Sequence, residues 1–263
     1  MTSPQPEIRP SWRRPGIASL GVAICLFALA CAIAVLGPQY NVTLLVTVGL
    51  TALAAMGLTL LLIAGQVSLG QAAFMAIGAY VAAILAREHG MPSILALLLG
   101  VATSAIAGFV VGSITLRLKG HFLPLATLAI GIATSAGIVA AGPLTGGASG
   151  FGQIPPLAIG PFELVNERAY AIVVWSIVAV AGGGFSRLLH SRTGRAIAAL
   201  KNNVEMAEVF GVNAARLRLL VFVVAATLAG LSGGLYAFYF KFLSPAPFGL
   251  TSSINLLMTR RIS

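Results

Sequence analysis

Ser149 lies in the run Gly147-Ala148-Ser149-Gly150, a setting in which a hydroxyl becomes a nucleophile once a histidine takes its proton. The chain has three histidines, His89, His121 and His190, and a general base must stand within hydrogen-bond reach of its serine. Ser149 belongs to a polar stretch at one end of the flanking apolar runs, whereas His121 and His190 fall at the opposite ends; only His89 shares its side. No catalytic residue is therefore assigned. Cys25 and Cys31, six positions apart in one apolar run, would stand on different helix faces with about 9 Å of axial rise between them, too far for a disulfide. The scattered histidines and these inert thiols give no metal site. No Gly-x-x-x-x-Gly-Lys-Ser/Thr loop is present to cradle ATP phosphates, and no apolar run has an acid or base at its centre to relay protons.

Two polar stretches remain. Gly65-Gln66-Val67-Ser68-Leu69-Gly70-Gln71 interrupts a long apolar run with two glycines and three polar side chains. Irregular backbone at membrane depth survives only when enclosed by protein or lining a water-filled cavity, so Gln66, Ser68 and Gln71 are candidates for a solute path. A plain turn between two spans is the competing reading. The second stretch, Arg187 to Arg218, carries Arg187, Arg192, Arg195, Lys201, Arg216 and Arg218 against Glu205 and Glu208. Its pattern predicts two short helices. The first covers 194–201, with Ile197 and Leu200 on one side; the second is capped by Asn202 with Glu205 three residues on, and stops at Gly211. Asn213 then caps the next apolar helix. A short amphipathic hairpin of this kind is a docking element for a partner outside the chain.

The elements that hold these stretches are membrane helices. The chain is 58% hydrophobic and 8% charged, where a soluble domain carries about a quarter charged residues, and no Asp, Glu, Lys or Arg occurs from Ile17 to Ala86. Spanning helices of about 20 residues are expected at 17–36, 42–63, 69–86, 94–116, 122–141, 169–189 and 217–240, with an eighth starting near 250. With the tail 1–16 inside, Arg9, Arg13, Arg14, Arg117, Lys119 and the six basic residues of the long loop all fall inside. Arg87, Arg168 and Lys241 fall outside. This is the asymmetry of positive-inside topology. The net charge of +10 is thus spent on juxtamembrane clusters, and nucleic acid binding is excluded as a function class. Small residues inside the spans, namely Gly108 with Gly112, Gly182 to Gly184, and Gly230 with Gly234, are expected to let helix backbones approach closely.

Several motifs together resemble the membrane subunits of branched-chain amino acid ABC importers. They are GQVSLGQAAFMAIGAY (Gly65–Tyr80), LRLKGHFLPLATLAIG (Leu116–Gly131), LTGGASGFGQIP (Leu144–Pro155), SRTGRAIAALKNNVEMAEVFGVN (Ser191–Asn213) and LAGLSGGLYAFYFKFLSPAPFG (Leu228–Gly249). Order and spacing match from about 45 to 257, and the Gly-Gln-Val-Ser-Leu-Gly form is closer to the LivM-type subunit than to its LivH-type partner. A histidine is common in that family where this chain has Gln71. The resemblance implies a permease working with ATP-binding subunits, a homologous LivH-type permease and an extracytoplasmic substrate-binding protein. The segment 195–211, with Arg195, Ala207, Glu208 and Gly211, would couple it to the ATPase.

The resulting expectation is an all-α polytopic membrane bundle of about seven to eight transmembrane helices. It divides into a disordered cytoplasmic tail (1–16), a permease domain (17–258) and an aberrant tail (259–263) where the family continues, which reads as a truncated C-terminal end. The implied activity is non-enzymatic: passage of branched-chain or related amino acids through a prokaryotic inner membrane, N-terminus cytoplasmic, without a cofactor. A secondary transporter subunit and an intramembrane serine hydrolase acting through Ser149 are the alternatives.

Overall fold

The computed structural model describes residues 37–116, 122–159, 162–202 and 213–245, together with 28, 30 and 32–35. It is an all-α bundle. The long helices are α1 (Gln39–Ile63), α2 (Gln71–Glu88), α3 (Ser93–Thr115), α4 (Phe122–Ala140), α6 (Glu167–His190) and α8 (Ala214–Phe240). The short ones are α5 (Gly142–Thr145) and α7 (Arg192–Asn202), with a single 3-10 turn at Gly147–Ser149. Five of the long helices are long and apolar enough to cross a membrane: α1, α4 over Leu123–Ala140, and all of α3, α6 and α8. The sixth, α2, rises about 27 Å, enough for a crossing, and more than half of its residues are buried. The expected first span and the eighth, with both tails, lie outside the described residues or are described only in part.

Helix ends follow local chemistry. Pro38, extended at φ −65°, precedes α1, where its missing N–H costs nothing. Asn166 caps α6 by accepting the Arg168 N–H at 2.9 Å, and Asn213 caps α8 by accepting the Arg216 N–H at 3.0 Å, as its position predicts. Arg187 and His190 occupy the last turn of α6, facing the negative end of its dipole. The expected spans differ from the observed helices by up to three residues at either end, because capping and not hydropathy sets where a helix stops.

The centre of the bundle is α8. More than half (56%) of its most apolar window is buried, against 6% for α4 at the periphery. It packs on α1, α2 and α3, while α6 leans on α1 and α4 touches mainly α2. Small residues make these contacts. A Cβ at Gly78 of α2 would stand 2.5 Å from Cα of Gly230, one at Gly100 of α3 would stand 2.6 Å from the Gly78 carbonyl, and one at Gly108 would meet Ala226. In lipid, dispersion between closely apposed backbones replaces the hydrophobic effect as the cohesive force. The expectation therefore holds for Gly108 and Gly230, while a Cβ at Gly112 or Gly234 would meet large side chains first, Leu219 and Phe222 at the one and Leu97 at the other. Nothing supports it for the other run among the described residues, where a Cβ at Gly183 or Gly184 meets no atom within 4 Å and one at Gly182 meets the tip of Met56. On the outer face of α3, Leu95, Leu98, Ile106, Phe109, Val110 and Ile114 are exposed at helical spacing.

The ends of the bundle differ in character. At one end the loop after α5 forms two short ribbons. Strand β1 (Phe151–Gly152) pairs antiparallel with β4 (Phe242–Leu243), and β2 (Ala158–Ile159) pairs with β3 (Phe162–Glu163). Arg87 fastens this loop to α2: its guanidinium donates to the Gly152 carbonyl at 3.0 Å and lies 4.4 Å from the centre of the Phe151 ring. Arg87, Arg168 and Lys241, grouped on one side by the charge count, all lie at this end. The opposite end carries α7 and the turn between α1 and α2.

Candidate functional site

The turn 64–70 and α7 form one structure. Ala64 ends α1, its N–H reaching back to Leu60, and Gly65 follows at φ +73°, a left-handed conformation that glycine adopts without strain. Gly65 also lies under α7, where a Cβ would stand 3.2 Å from Cα of Lys201. Helix α7 turns its apolar side onto this surface. Ile197 is fully buried among Leu60, Leu61, Ala64 and Val221, and Leu200 is buried against Ala214. Its polar side, with Arg192 and Arg195, faces outward. The predicted short helix at 194–201 thus forms with slightly wider bounds, and the expected apolar side is its seat.

Helix α7 follows α6 through a corner that the sequence reading overlooked. The Ser191 hydroxyl donates to the Leu188 carbonyl at 2.6 Å and accepts the Gly194 N–H at 3.1 Å. A Cβ at Gly194 would run into the backbone of Leu188 and Leu189, so the corner requires glycine. A serine two residues before a Thr-Gly pair is the available signal, a side chain ready to cap α7 ahead of a residue without a Cβ. Arg195 donates from its guanidinium to the His190 carbonyl at 3.0 Å, tying α7 to the end of α6.

The three polar residues of the turn are enclosed by protein, Gln66, Ser68 and Gln71 being at most 3% exposed. Gln66 donates from Nε2 to the Arg218 carbonyl at 3.3 Å, and Gln71 from Nε2 to the Ala225 carbonyl at 2.9 Å, both on α8. The Ser68 hydroxyl accepts the Gly70 N–H at 3.3 Å. The Leu69 N–H donates to the Thr127 hydroxyl of α4 at 3.0 Å. The segment is therefore the connection between α1 and α2, and its polar groups bind it to α8 and α4. The two carboxamide oxygens, Oε1 of Gln66 and of Gln71, are buried with no hydrogen-bond donor among the described residues.

Ser149 ends the 3-10 turn at the opposite end of the bundle and is exposed. His190 bonds through Nδ1 to the Ser186 carbonyl of its own helix, at the α7 end, and His121 lies outside the described residues. No group of three His, Cys, Asp or Glu stands close enough to hold a metal ion among the described residues. Of the coupling candidates, Arg195 is placed on α7, while Ala207, Glu208 and Gly211 lie outside the described residues, as does the expected second short helix.

The described residues thus form an all-α, multi-pass membrane bundle with an amphipathic helix seated across one end. The chain belongs to the family of branched-chain amino acid transport system permease components, which matches residues 40–259. It is similar to the high-affinity branched-chain amino acid transport system permease protein LivM of Salmonella typhimurium, with 29% identity over 218 residues, 74% of this chain and 51% of that protein. The LivM protein of Escherichia coli K12 is 28% identical over the same shares. The chain thus spans about half the length of the curated relatives it matches. No solved structure matches it.

Proposed function

We propose that the chain is the LivM-type permease subunit of an ATP-driven importer that carries branched-chain or closely related amino acids across the inner membrane of a prokaryote. Its partners are ATP-binding subunits, a homologous LivH-type permease and an extracytoplasmic substrate-binding protein. The α7 end, with Arg187, Arg192, Arg195 and Lys201, faces the cytoplasm; the ribbon end faces outward. The N-terminus is cytoplasmic. The observation that carries this reading is the seating of α7, an amphipathic helix anchored by Ile197 with its basic side free, on the turn that joins two membrane helices. That is what a subunit without a nucleotide site needs in order to receive motion from one that has it.

In this reading Arg195, Ala207, Glu208 and Gly211 make the ATPase contact. Gln66, Ser68 and Gln71 border the cytoplasmic part of the solute path, enclosed in the conformation described. The two buried carboxamide oxygens are acceptors for a solute ammonium group once the path opens. The tagged chain purified from native membranes should bring with it an ATP-binding subunit and a second permease, and uptake of leucine, isoleucine or valine into vesicles should require ATP. Uptake that follows an ion gradient without ATP would overturn the reading in favour of a secondary transporter. Within the assembled complex, Gly211→Asp and Glu208→Arg should abolish uptake with membrane insertion intact; normal uptake by both would remove the coupling assignment.

A further inference from the structure

Most of the contact between α2 and α8 is smooth. Gly78 faces Gly230, Gly233 lies against the backbone of Met75, and Ala72, Ala76 and Ala79 supply much of the remaining buried surface of α2. Where glycine and alanine meet, such surfaces adhere closely but interlock poorly, and the large interlocking pair is Phe74 of α2 edge-on to Phe222 of α8, 5.6 Å between ring centres. Directional bonds then help to set the height at which the two helices meet. Gln71 provides such a bond. It is the first residue of α2 and is 2% exposed, and its Nε2 donates to the Ala225 carbonyl of α8 at 2.9 Å. Space for the bond is left by α1: a Cβ at Gly57 would stand 2.8 Å from both the Gln71 Nε2 and the Ala225 oxygen.

The position of this bond along the chain gives it mechanical meaning. Gln71 directly follows the turn under α7, in which Gly65 lies beneath Lys201 and Ala64 contributes to the seat of Ile197. A displacement of α7 therefore reaches α2 through six residues; Gln66 within the turn is already bonded to the Arg218 carbonyl of α8, and Gln71 is the first residue of α2 itself to be bonded to that helix. One turn further along α2, the Ser104 hydroxyl of α3 faces two carbonyls, Phe74 of α2 at 3.1 Å and Ala226 of α8 at 2.8 Å, with a single proton to give. That hydroxyl keeps one bond whichever of the two carbonyls it serves, so it permits movement between the helices. Gln71 does not, because its amide group spans from one helix to the other at one height only.

We propose that Gln71 is a positioning residue that fixes the register of α2 on α8, and that its bond to the Ala225 carbonyl is the catch released when α7 is displaced. This rests on the reading of the chain as a coupled permease. The catch is distinct from a contact with solute: it makes movement of α2 depend on movement of α7, so its loss lets ATP be spent without transport.

The test is the assembled importer in vesicles, with ATP hydrolysis and solute uptake measured on the same sample for the unaltered chain and for Gln71→Met, Gln71→Asn and Gln71→His. Methionine fills the volume without a donor, asparagine keeps the amide but is too short, and histidine has both reach and an N–H. The first two should raise the ATP consumed per solute about tenfold, the effect of losing one buried hydrogen bond, and histidine should restore the ratio. An unchanged ratio in Gln71→Met, with the unaltered importer working, would overturn the catch and leave the permease reading standing. A raised KM for solute at an unchanged ratio would overturn it too, and place Gln71 on the path alone. Absence of ATP-dependent uptake by the unaltered assembly would remove the permease reading and the catch with it. If Gln71→Met fails to assemble, Gly57→Ala attacks the same bond from α1 with Gln71 in place, and a normal ratio there would equally overturn the proposal.

Discussion

Gly78 of α2 and Gly230 of α8 meet backbone to backbone, so that a methyl on Gly78 would stand 2.5 Å from Cα of Gly230 and 2.8 Å from its carbonyl carbon. The backbone of Gly78 is approached from a second side as well, since a Cβ at Gly100 of α3 would stand 2.6 Å from its carbonyl oxygen. Three helices thus converge on one residue that has no side chain. Gly78→Val forces these helices apart, and overpacking at a filled site costs about 1–3 kcal/mol. The expected outcome is a lower thermal unfolding midpoint in detergent, measured by tryptophan fluorescence. An unchanged midpoint would mean that the three helices do not cross here.

Ser104 lies at the next level of the same junction, fully buried, with its hydroxyl between the Phe74 and Ala226 carbonyls. Both acceptors are in helices and already take an intrahelical bond, so Ser104→Ala leaves no carbonyl wholly unsatisfied. The loss should be about 0.5–1.5 kcal/mol, a small fall in the unfolding midpoint with the chain still inserted. Ser104→Val, which adds bulk beside Gly230, should cost more. Equal effects from the two would show that the bond and the space do not matter separately.

Much of this arrangement was legible in the sequence, and its limits have physical causes. The spans were readable because apolar runs of membrane length have few alternatives, and Asn213 was readable because an N-cap acts within three residues of itself. The partners of Gln66 and Gln71 were not, since both are main-chain carbonyls of α8, more than 150 positions away, which carry no side-chain signature. The β1–β4 ribbon has two residues per strand, too few for any alternation to register. Glycine clusters gave an ambiguous signal: Gly230 to Gly234 and Gly182 to Gly184 look alike in composition, yet only the first meets a neighbouring backbone among the described residues.

The loop at the ribbon end is held by the β1–β4 pairing, by the Ser93 hydroxyl on the Pro156 carbonyl, and by Arg87. Arg87 is bonded to the Gly152 carbonyl and lies over Phe151, which is 4% exposed, and β1 then pairs with β4 beyond α8. Arg87→Ala removes the hydrogen bond and the cation–π contact, the latter alone worth about 0.5–2 kcal/mol. Faster cleavage within 151–159 by protease added to the ribbon side of sealed vesicles is expected, with the helices protected. Arg87→Lys should rescue only in part, because an ammonium group does not offer the flat face that covers the ring. Full rescue by lysine would show that charge alone holds the loop.

Ile197 has the corresponding role at the other end. Helix α7 has eleven residues, too few to be stable alone in water, so its helicity depends on the seat that Ile197 occupies. Ile197→Ala should cost about 2–5 kcal/mol at this seat and Ile197→Asp more, because the carboxylate would have no partner among Leu60, Leu61, Ala64 and Val221. Protease should then cut within 192–202 on the α7 side while the spans stay protected. Unchanged resistance in Ile197→Asp would show that α7 is held by something other than its apolar side.

Gly183 separates lipid contact from helix contact on α6. A helix interior gains about 1 kcal/mol when glycine is replaced by a good helix former, so a glycine held there without a neighbour is a net cost to α6. No atom of the described residues lies within 4 Å of a Cβ at Gly183 or Gly184, whereas a Cβ at Gly230 or Gly233 would collide with α3 or α2. Gly183→Leu should therefore be neutral or raise the unfolding midpoint of the isolated chain, the reverse of the result at Gly78. The same variant can then be compared in the assembled importer. If it stabilises the chain alone but prevents co-purification of the second permease, the glycines of α6 are a surface kept small for another helix. If assembly is normal, this face lies against acyl chains, and leucine serves there better than glycine.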